Sequence, residues 1–268
     1  MSRYRLGINT CFAVKRWPEP KRWAEIVRDR LGLDLVQHSL DFVDLDAPRP
    51  LVERQAAAVR AACDQAGLEL HSTFTGLAVY SSNLLLHPDP ELRARAEGWY
   101  RQAIAFTATV GARATGGHVG AYSVADWRDQ LRRDALEGEL RAALRRLAAV
   151  ARLAGLEELY VENLAAAREP STMDGVLRLL TGGDDEHVPV LLCLDVGHQC
   201  VPGTTGPDRD PTPGWSGSAA ARRSCSCSSP TRPRTTTGRS PDNATPPAGS
   251  RPTRRSPPWT PRVHPGPR

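Results

Sequence analysis

Residues 207–268 contain no Leu, Ile, Met, Phe, Tyr or Lys, and a single Val. The same 62 residues hold 14 of the 23 prolines of the 268-residue chain. So little apolar side chain cannot offset the entropy lost on ordering, and the Pro, Arg, Ser and Thr bias predicts a disordered tail. Eleven Arg against three Asp leave that segment at +8. With the whole chain at +5, residues 1–206 sum to −3. The basic balance therefore belongs to the tail, and nucleic-acid binding by the rest does not follow from it. No run approaches the roughly 20 apolar residues of a membrane span, and MSRYRLGIN lacks the apolar stretch of a secretory leader. Of six cysteines, Cys11, Cys63, Cys193 and Cys200 precede the tail, without close metal-type spacing. Reduced thiols in a cytoplasmic protein that avoids membranes are the expectation.

What is present is an alternation of short apolar runs with helical patterns, the signature of a parallel sheet built from βα units. Strands are expected at Arg5–Cys11, Asp34–Ser39, Leu68–Phe74, Ala112–Val119, Glu158–Asn163 and Val188–Asp195. Between them lie a helix opened by Pro20, one near Leu51–Ala66 stopped by Gly67, and Asp89–Gly111. Two more follow, Gln130–Leu153 and Ser171–Leu180. Asp89-Pro90-Glu91 combines an N-cap, a first-turn Pro and an acid favoured by the helix dipole. Strands Leu68–Phe74 and Val188–Asp195 are nearly continuous apolar runs, as parallel strands buried on both faces require. Polar residues gather at the carboxyl ends of the strands, where a TIM barrel assembles its active site. The fold expected is a (β/α)8 TIM barrel that is incomplete, with about six βα units over residues 1–206 and a tail over 207–268.

Two strand-end carboxylates carry the chemistry. Glu162 closes LEELYVEN, and Asp195 closes VPVLLCLDV. An acid after a buried strand is costly unless it is paired or ligates a metal. Two on neighbouring strands can converge on one hard cation, with water and substrate oxygens completing the shell. Such a cation polarises a carbonyl while a carboxylate removes the proton from the adjacent carbon. A capping or salt-bridged role is the alternative for each acid alone. His198 either hydrogen-bonds a substrate hydroxyl or is a loop histidine. His71 and His118, also at strand ends, are held as pocket lining. Arg168 either clamps a phosphate bidentately or is a solvated surface residue. Gly116-Gly117 permits close backbone approach.

The stretches LGINTCFAVKRWPEP, HSTFTGLAVYSSNLLLHPDPE and LDVGH resemble the sugar phosphate isomerase/epimerase superfamily with its xylose-isomerase-like TIM barrel. Within it the sequence is most similar to the 3-epimerases of erythrulose phosphates and other tetrulose phosphates. The resemblance covers residues 3–206. It implies a divalent metal (manganese, magnesium or cobalt) held by acids from strands five, six and eight, with a polar residue from strand seven. On it Glu162 is a metal ligand and the catalytic acid/base, Asp195 a metal ligand, and His198 and Arg168 substrate contacts. The partner implied is a small sugar or sugar phosphate, with no specific nucleic acid and with a homo-oligomer left open.

The strand-seven ligand and strand-eight glutamate have no counterpart, because residues 207–268 contain no Glu. Their loss predicts a weakened or inactive enzyme. Residues 211–241 can be back-translated into high-GC DNA whose neighbouring frame encodes an amphipathic helix and then a strand with a polar end. A frameshifted tail is therefore expected, with a natural, disordered Arg/Pro-rich extension as the alternative. Two other functions compete: an endonuclease-IV-like abasic-site repair enzyme on the same fold, and a non-catalytic truncated product. The first would need more histidine and acid ligands and a basic groove on the folded part.

Overall fold

The computed structural model describes residues 5–200. The expected boundary at 206 and the tail over 207–268 lie outside the described residues. Within them, six parallel strands form one sheet in the order β1-β2-β3-β4-β5-β6. They are β1 Gly7–Asn9, β2 Leu35–Ser39, β3 Glu69–Phe74, β4 Ala114–Gly117, β5 Glu158–Glu162 and β6 Val190–Cys193. The helices are α1 Pro20–Glu25, α2 Arg49–Ala66, α3 Pro90–Val110, α4 Val124–Arg128, α5 Gln130–Leu153 and α6 Met173–Leu177. Consecutive strands pair in sequence order, as successive βα units wound in one direction must. This is the (β/α)8 plan taken through six strands.

Local chemistry explains most boundaries. Asp89 caps α3 by accepting from the Glu91 N–H, with Pro90 at the first position. Asp129 caps α5 through the N–H groups of Leu131 and Arg132. Gly67 closes α2 in the left-handed conformation. The strands are shorter than the apolar runs predict, because parallel pairing ends where the loops splay. Asp195 accordingly lies two residues beyond β6 rather than on it. α4 was not anticipated, although Ser123 and Asp126 cap each other in the S-x-x-D pattern that marks a helix start.

Period-two alternation divides each strand. Leu159 and Val161 of β5 and Val190 of β6 pack outward with Leu140, Leu144 and Leu147 of α5. Val36 and Leu70 pack outward with Trp23, Val59 and Phe106. Facing inward are Phe74, Ala114, Tyr160, Leu191 and Cys193, which form a small interior cluster joined by Tyr80. Glu162 is two residues beyond Tyr160 on β5, so the pleat that turns Tyr160 inward turns Glu162 inward as well. Cys11, Cys63 and Cys200 are free thiols. No helix among the described residues is long and apolar enough to cross a membrane.

Candidate active site

Glu162, Asp195 and His198 each offer a ligand atom within 4.8 Å of the others at the carboxyl ends of β5 and β6. Glu162 is 1 % exposed and Asp195 6 %. The turn after β6 is built around Asp195. Its Oδ1 accepts from the Gly197 N–H at 2.7 Å and, more distantly, from the His198 N–H at 3.4 Å. Asn163 fixes the same turn to β5: its Oδ1 accepts the Asp195 N–H at 2.6 Å, and its Nδ2 donates to the Asp195 carbonyl at 2.9 Å.

The third link sets the state of His198. Its Nδ1 lies 2.8 Å from the Asn163 carbonyl oxygen. A carbonyl only accepts, so Nδ1 carries the hydrogen. Nε2 is then left facing Asp195 Oδ2 at 3.5 Å. An imidazole lone pair against a carboxylate oxygen is repulsive unless a proton or a cation stands between them. The Glu162 Oε1 oxygen lies 3.9 Å from Nδ1 on the other side. Two carboxylates and an imidazole nitrogen are a donor set suited to a divalent cation, and manganese or cobalt tolerate the mixed oxygen and nitrogen ligation. The residues present fit the metal that the sequence implies.

Glu162 has one partner that the sequence reading missed. The Tyr80 hydroxyl donates to Glu162 Oε2 across 82 positions of sequence. Burial pushes the Glu162 carboxyl up to about 7, against the lowering effect of the Tyr80 hydrogen bond and of His198. Burial and the nearby Glu162 charge also raise the Tyr80 phenol, which keeps it the donor. Tyr80 stacks on His118, with ring centroids 4.7 Å apart and planes at 9°. His118 is fully buried, burial lowers it to about 4, and neither ring nitrogen makes a hydrogen bond of ordinary geometry. It backs the tyrosine and stands one side chain away from Glu162.

The other two expected residues are not brought to the cluster. His71 is the residue skipped where the β2–β3 register shifts, from Val36 opposite Leu70 to Gln37 opposite Ser72. The bulge redirects its ring. His71 Nε2 meets Arg113 Nη2 at 2.5 Å, just before β4 begins. That is the amino-terminal end of the sheet, beside Glu157 and Glu158. The expectation that His71 lines the pocket is therefore corrected. Arg168 lies in the loop after β5 and is tied to the loop after β4. Its Nη1 donates to the Tyr122 carbonyl at 2.6 Å, and its own carbonyl accepts the Tyr122 N–H at 2.7 Å. It stands on the correct end of the sheet, holding two loops together.

Comparison with known proteins identifies the fold that carries this site. The family model described as xylose isomerase-like TIM barrel matches residues 27–210. A Rhodospirillum rubrum protein named as a xylose isomerase is 41% identical, with a TM-score of 0.73 over 77% of this chain and 70% of that one. A sugar phosphate isomerase/epimerase structure from Anabaena variabilis shares the fold at 17% identity and a TM-score of 0.57, over 80% and 70% of the two chains. D-psicose 3-epimerase from Clostridium cellulolyticum shares it at 19% and 0.53, over 76% and 67%. No curated protein sequence matches. The chain belongs to the xylose isomerase-like TIM barrel family, whose structural neighbours here are sugar isomerases and epimerases.

Proposed function

We propose that the chain serves a sugar isomerase or epimerase reaction, moving a proton at the carbon beside a carbonyl of a short ketose phosphate. One observation carries the proposal: a buried carboxylate, Glu162, shares the carboxyl end of two adjacent barrel strands with a second acid and an imidazole. Glu162 is the proton acceptor. Burial holds its carboxyl up to about 7 in the metal-free protein; a bound cation would lower it, leaving a carboxylate able to take the proton and return it. Tyr80 takes one lone pair of Oε2, and the other lone pairs of the carboxylate are those available to a cation and to the proton in transit. Asn163 holds the turn that places Asp195 and His198 beside Glu162. A divalent cation (manganese, magnesium or cobalt) held by Glu162 and Asp195, with His198 Nε2 in reach, would supply polarisation of the carbonyl and offset the charge of the enediolate.

Arg168, at the rim, has guanidinium donors beyond the one given to Tyr122 and is the phosphate contact of this reading. The motifs NTCFAVKRWPEP and HSTFTGLAVYSSN favour erythrulose phosphates within the class, with 3-epimerisation as the reaction. The same reading makes the chain a cytoplasmic enzyme with a small-molecule partner. Abasic-site repair has no comparable support: among the described residues a single acid-and-histidine group forms, and residues 1–206 are net negative.

The test is solvent deuterium exchange at the reacting carbon, with manganese and a panel of tetrulose and pentulose phosphates. Slow but Glu162-dependent exchange is expected. Absence of exchange both from this chain and from a frame-corrected one would sink the proposal, and incision of abasic DNA by either would replace it.

A further inference from the structure

Tyr80 reaches Glu162 from a loop with no strand to fix it, so something else must hold that loop. The loop between β3 and α3 carries a short 3-10 turn, Ala78–Ser81. Immediately before and at its start, two backbone N–H groups point toward Asp41. The Leu77 N–H donates to Asp41 Oδ2 at 2.8 Å, and the Ala78 N–H donates to Oδ1 at 2.9 Å. Both carboxylate oxygens are thereby used on one side of the loop. The Ser39 hydroxyl donates to Oδ2 at 2.9 Å from the end of β2. Ser39 is held in turn, since its N–H donates to Thr10 Oγ1 at 2.9 Å. Gly76 lets the chain come this close. A Cβ at that position would sit 2.6 Å from the Asp41 carboxyl carbon, and its backbone φ of +87° suits glycine.

A continuous set of contacts thus runs from the turn after β1 through the β2 turn and the β3 loop to the carboxylate on β5. We infer that Asp41 is a positioning residue: by clamping the Leu77 and Ala78 amides it sets the β3 loop so that the Tyr80 hydroxyl meets Glu162. The inference rests on the reading of Glu162 as the proton acceptor for its catalytic consequence, but the clamp itself is a statement about Tyr80. A carboxylate is the right clamp. Charge-assisted acceptance from two N–H groups is stronger than neutral pairing, and an amide in its place would turn an N–H₂ group against one of the donors. Support of this kind is worth roughly 10- to 100-fold in activity when removed.

The chain has five tyrosines, so protein labelled with ¹³C at tyrosine Cζ gives five signals, and Tyr80→Phe identifies the one from Tyr80. Asp41→Asn is expected to move that signal toward the position of a phenol without a carboxylate partner and to leave the others in place. In the deuterium-exchange assay Asp41→Asn should slow turnover roughly tenfold or more with little change in KM. That penalty should vanish in the Tyr80→Phe background, because the clamp has nothing left to position. An unmoved Tyr80 signal, or penalties that simply multiply in the double variant, would overturn the inference. If Asp41→Asn does not fold, Ser39→Ala removes the hydroxyl that donates to Asp41 Oδ2 and accepts the Asp41 N–H while keeping the carboxylate; a smaller displacement of the same signal supports the clamp, and none overturns it. A displaced signal, with no exchange from either this chain or a frame-corrected one, upholds the clamp and removes the catalytic reading of Glu162.

Discussion

The side-chain amide of Asn163 is bonded to the backbone of Asp195 at both ends, with Oδ1 taking the N–H at 2.6 Å and Nδ2 reaching the carbonyl at 2.9 Å. The Asn163 carbonyl takes the third bond, from His198. One residue immediately after β5 therefore sets the turn that carries two of the three candidate ligands. Asn163→Leu is expected to leave two buried backbone groups without partners, at about 1–3 kcal/mol each. Manganese affinity, measured by titration calorimetry, should fall roughly 10- to 100-fold. Unchanged affinity with reduced stability would mean that Asn163 braces the fold and not the ligands.

Glu162→Gln separates chemistry from packing. Glutamine keeps the volume and can still accept the Tyr80 hydroxyl, so the fold should be retained. It cannot take a proton from carbon, so deuterium exchange should fall by about 10²- to 10⁴-fold. Thermal unfolding of the metal-free variant should occur no lower than in the parent, because burial already disfavours the Glu162 charge. Retained exchange would remove Glu162 from the mechanism.

Much of this was legible in sequence, for identifiable reasons. Glu162 and Asp195 stand out because a charge ending an apolar strand has few physical explanations, and ELYVE alternates with the pleat. Capping chemistry at Asp89 and Gly67 is local and so is readable. His71 was misplaced because a register shift between β2 and β3 is a property of the pair, invisible in either strand alone. Tyr80 was missed because its partner lies 82 residues away and the Asp41 clamp that joins them is set by loop packing. A tyrosine a few residues after a strand end, in the loop at the carboxyl end of the sheet, is the trace such a contact leaves.

Gly116 is a stringent test of the sheet. It lies on β4 opposite Tyr160 of β5, and a Cβ there would fall on the Tyr160 carbonyl oxygen and within 2.6 Å of its amide nitrogen. Backbone cannot yield as a flexible side chain can. Gly116→Ala should cost more than about 3 kcal/mol, at or above the upper end for overpacking. The expected readout is a large drop in the urea midpoint or loss of soluble protein. A stable, soluble variant would show that β4 and β5 are further apart than described.

His38 makes the fold sensitive to acid. Its ring is 1 % exposed, packed among Trp23, Phe42 and Phe106, and burial lowers it to about 4. Unfolded, it binds a proton near the ordinary value of 6.5. Between those values the unfolded chain holds more protons, so stability falls as pH drops from about 6.5 toward 4. The full effect approaches about 3 kcal/mol. His38→Phe should be the more acid-tolerant protein: urea unfolding at pH 7.5 and 5 should show a smaller loss in the variant. Equal losses would place the acid sensitivity elsewhere.

The last prediction concerns the ligands that residues 207–268 do not supply. The resemblance implies a strand-eight glutamate, and this segment contains no Glu. A cation held by Glu162, Asp195 and His198 alone has protein ligands on one side only, so substrate and cation would be poorly fixed relative to Glu162. Orientation of this kind contributes several kcal/mol to catalysis. If the tail is an out-of-frame reading, sequencing the gene and correcting the frame should restore a helix and strand with polar ends. The corrected chain should bind manganese at least tenfold more tightly and exchange deuterium at least a hundredfold faster, about 1.4 and 2.7 kcal/mol respectively. A verified, uninterrupted frame through this region would overturn the frameshift. Full-rate exchange by the chain as it stands would show that Glu162 and its immediate neighbours suffice.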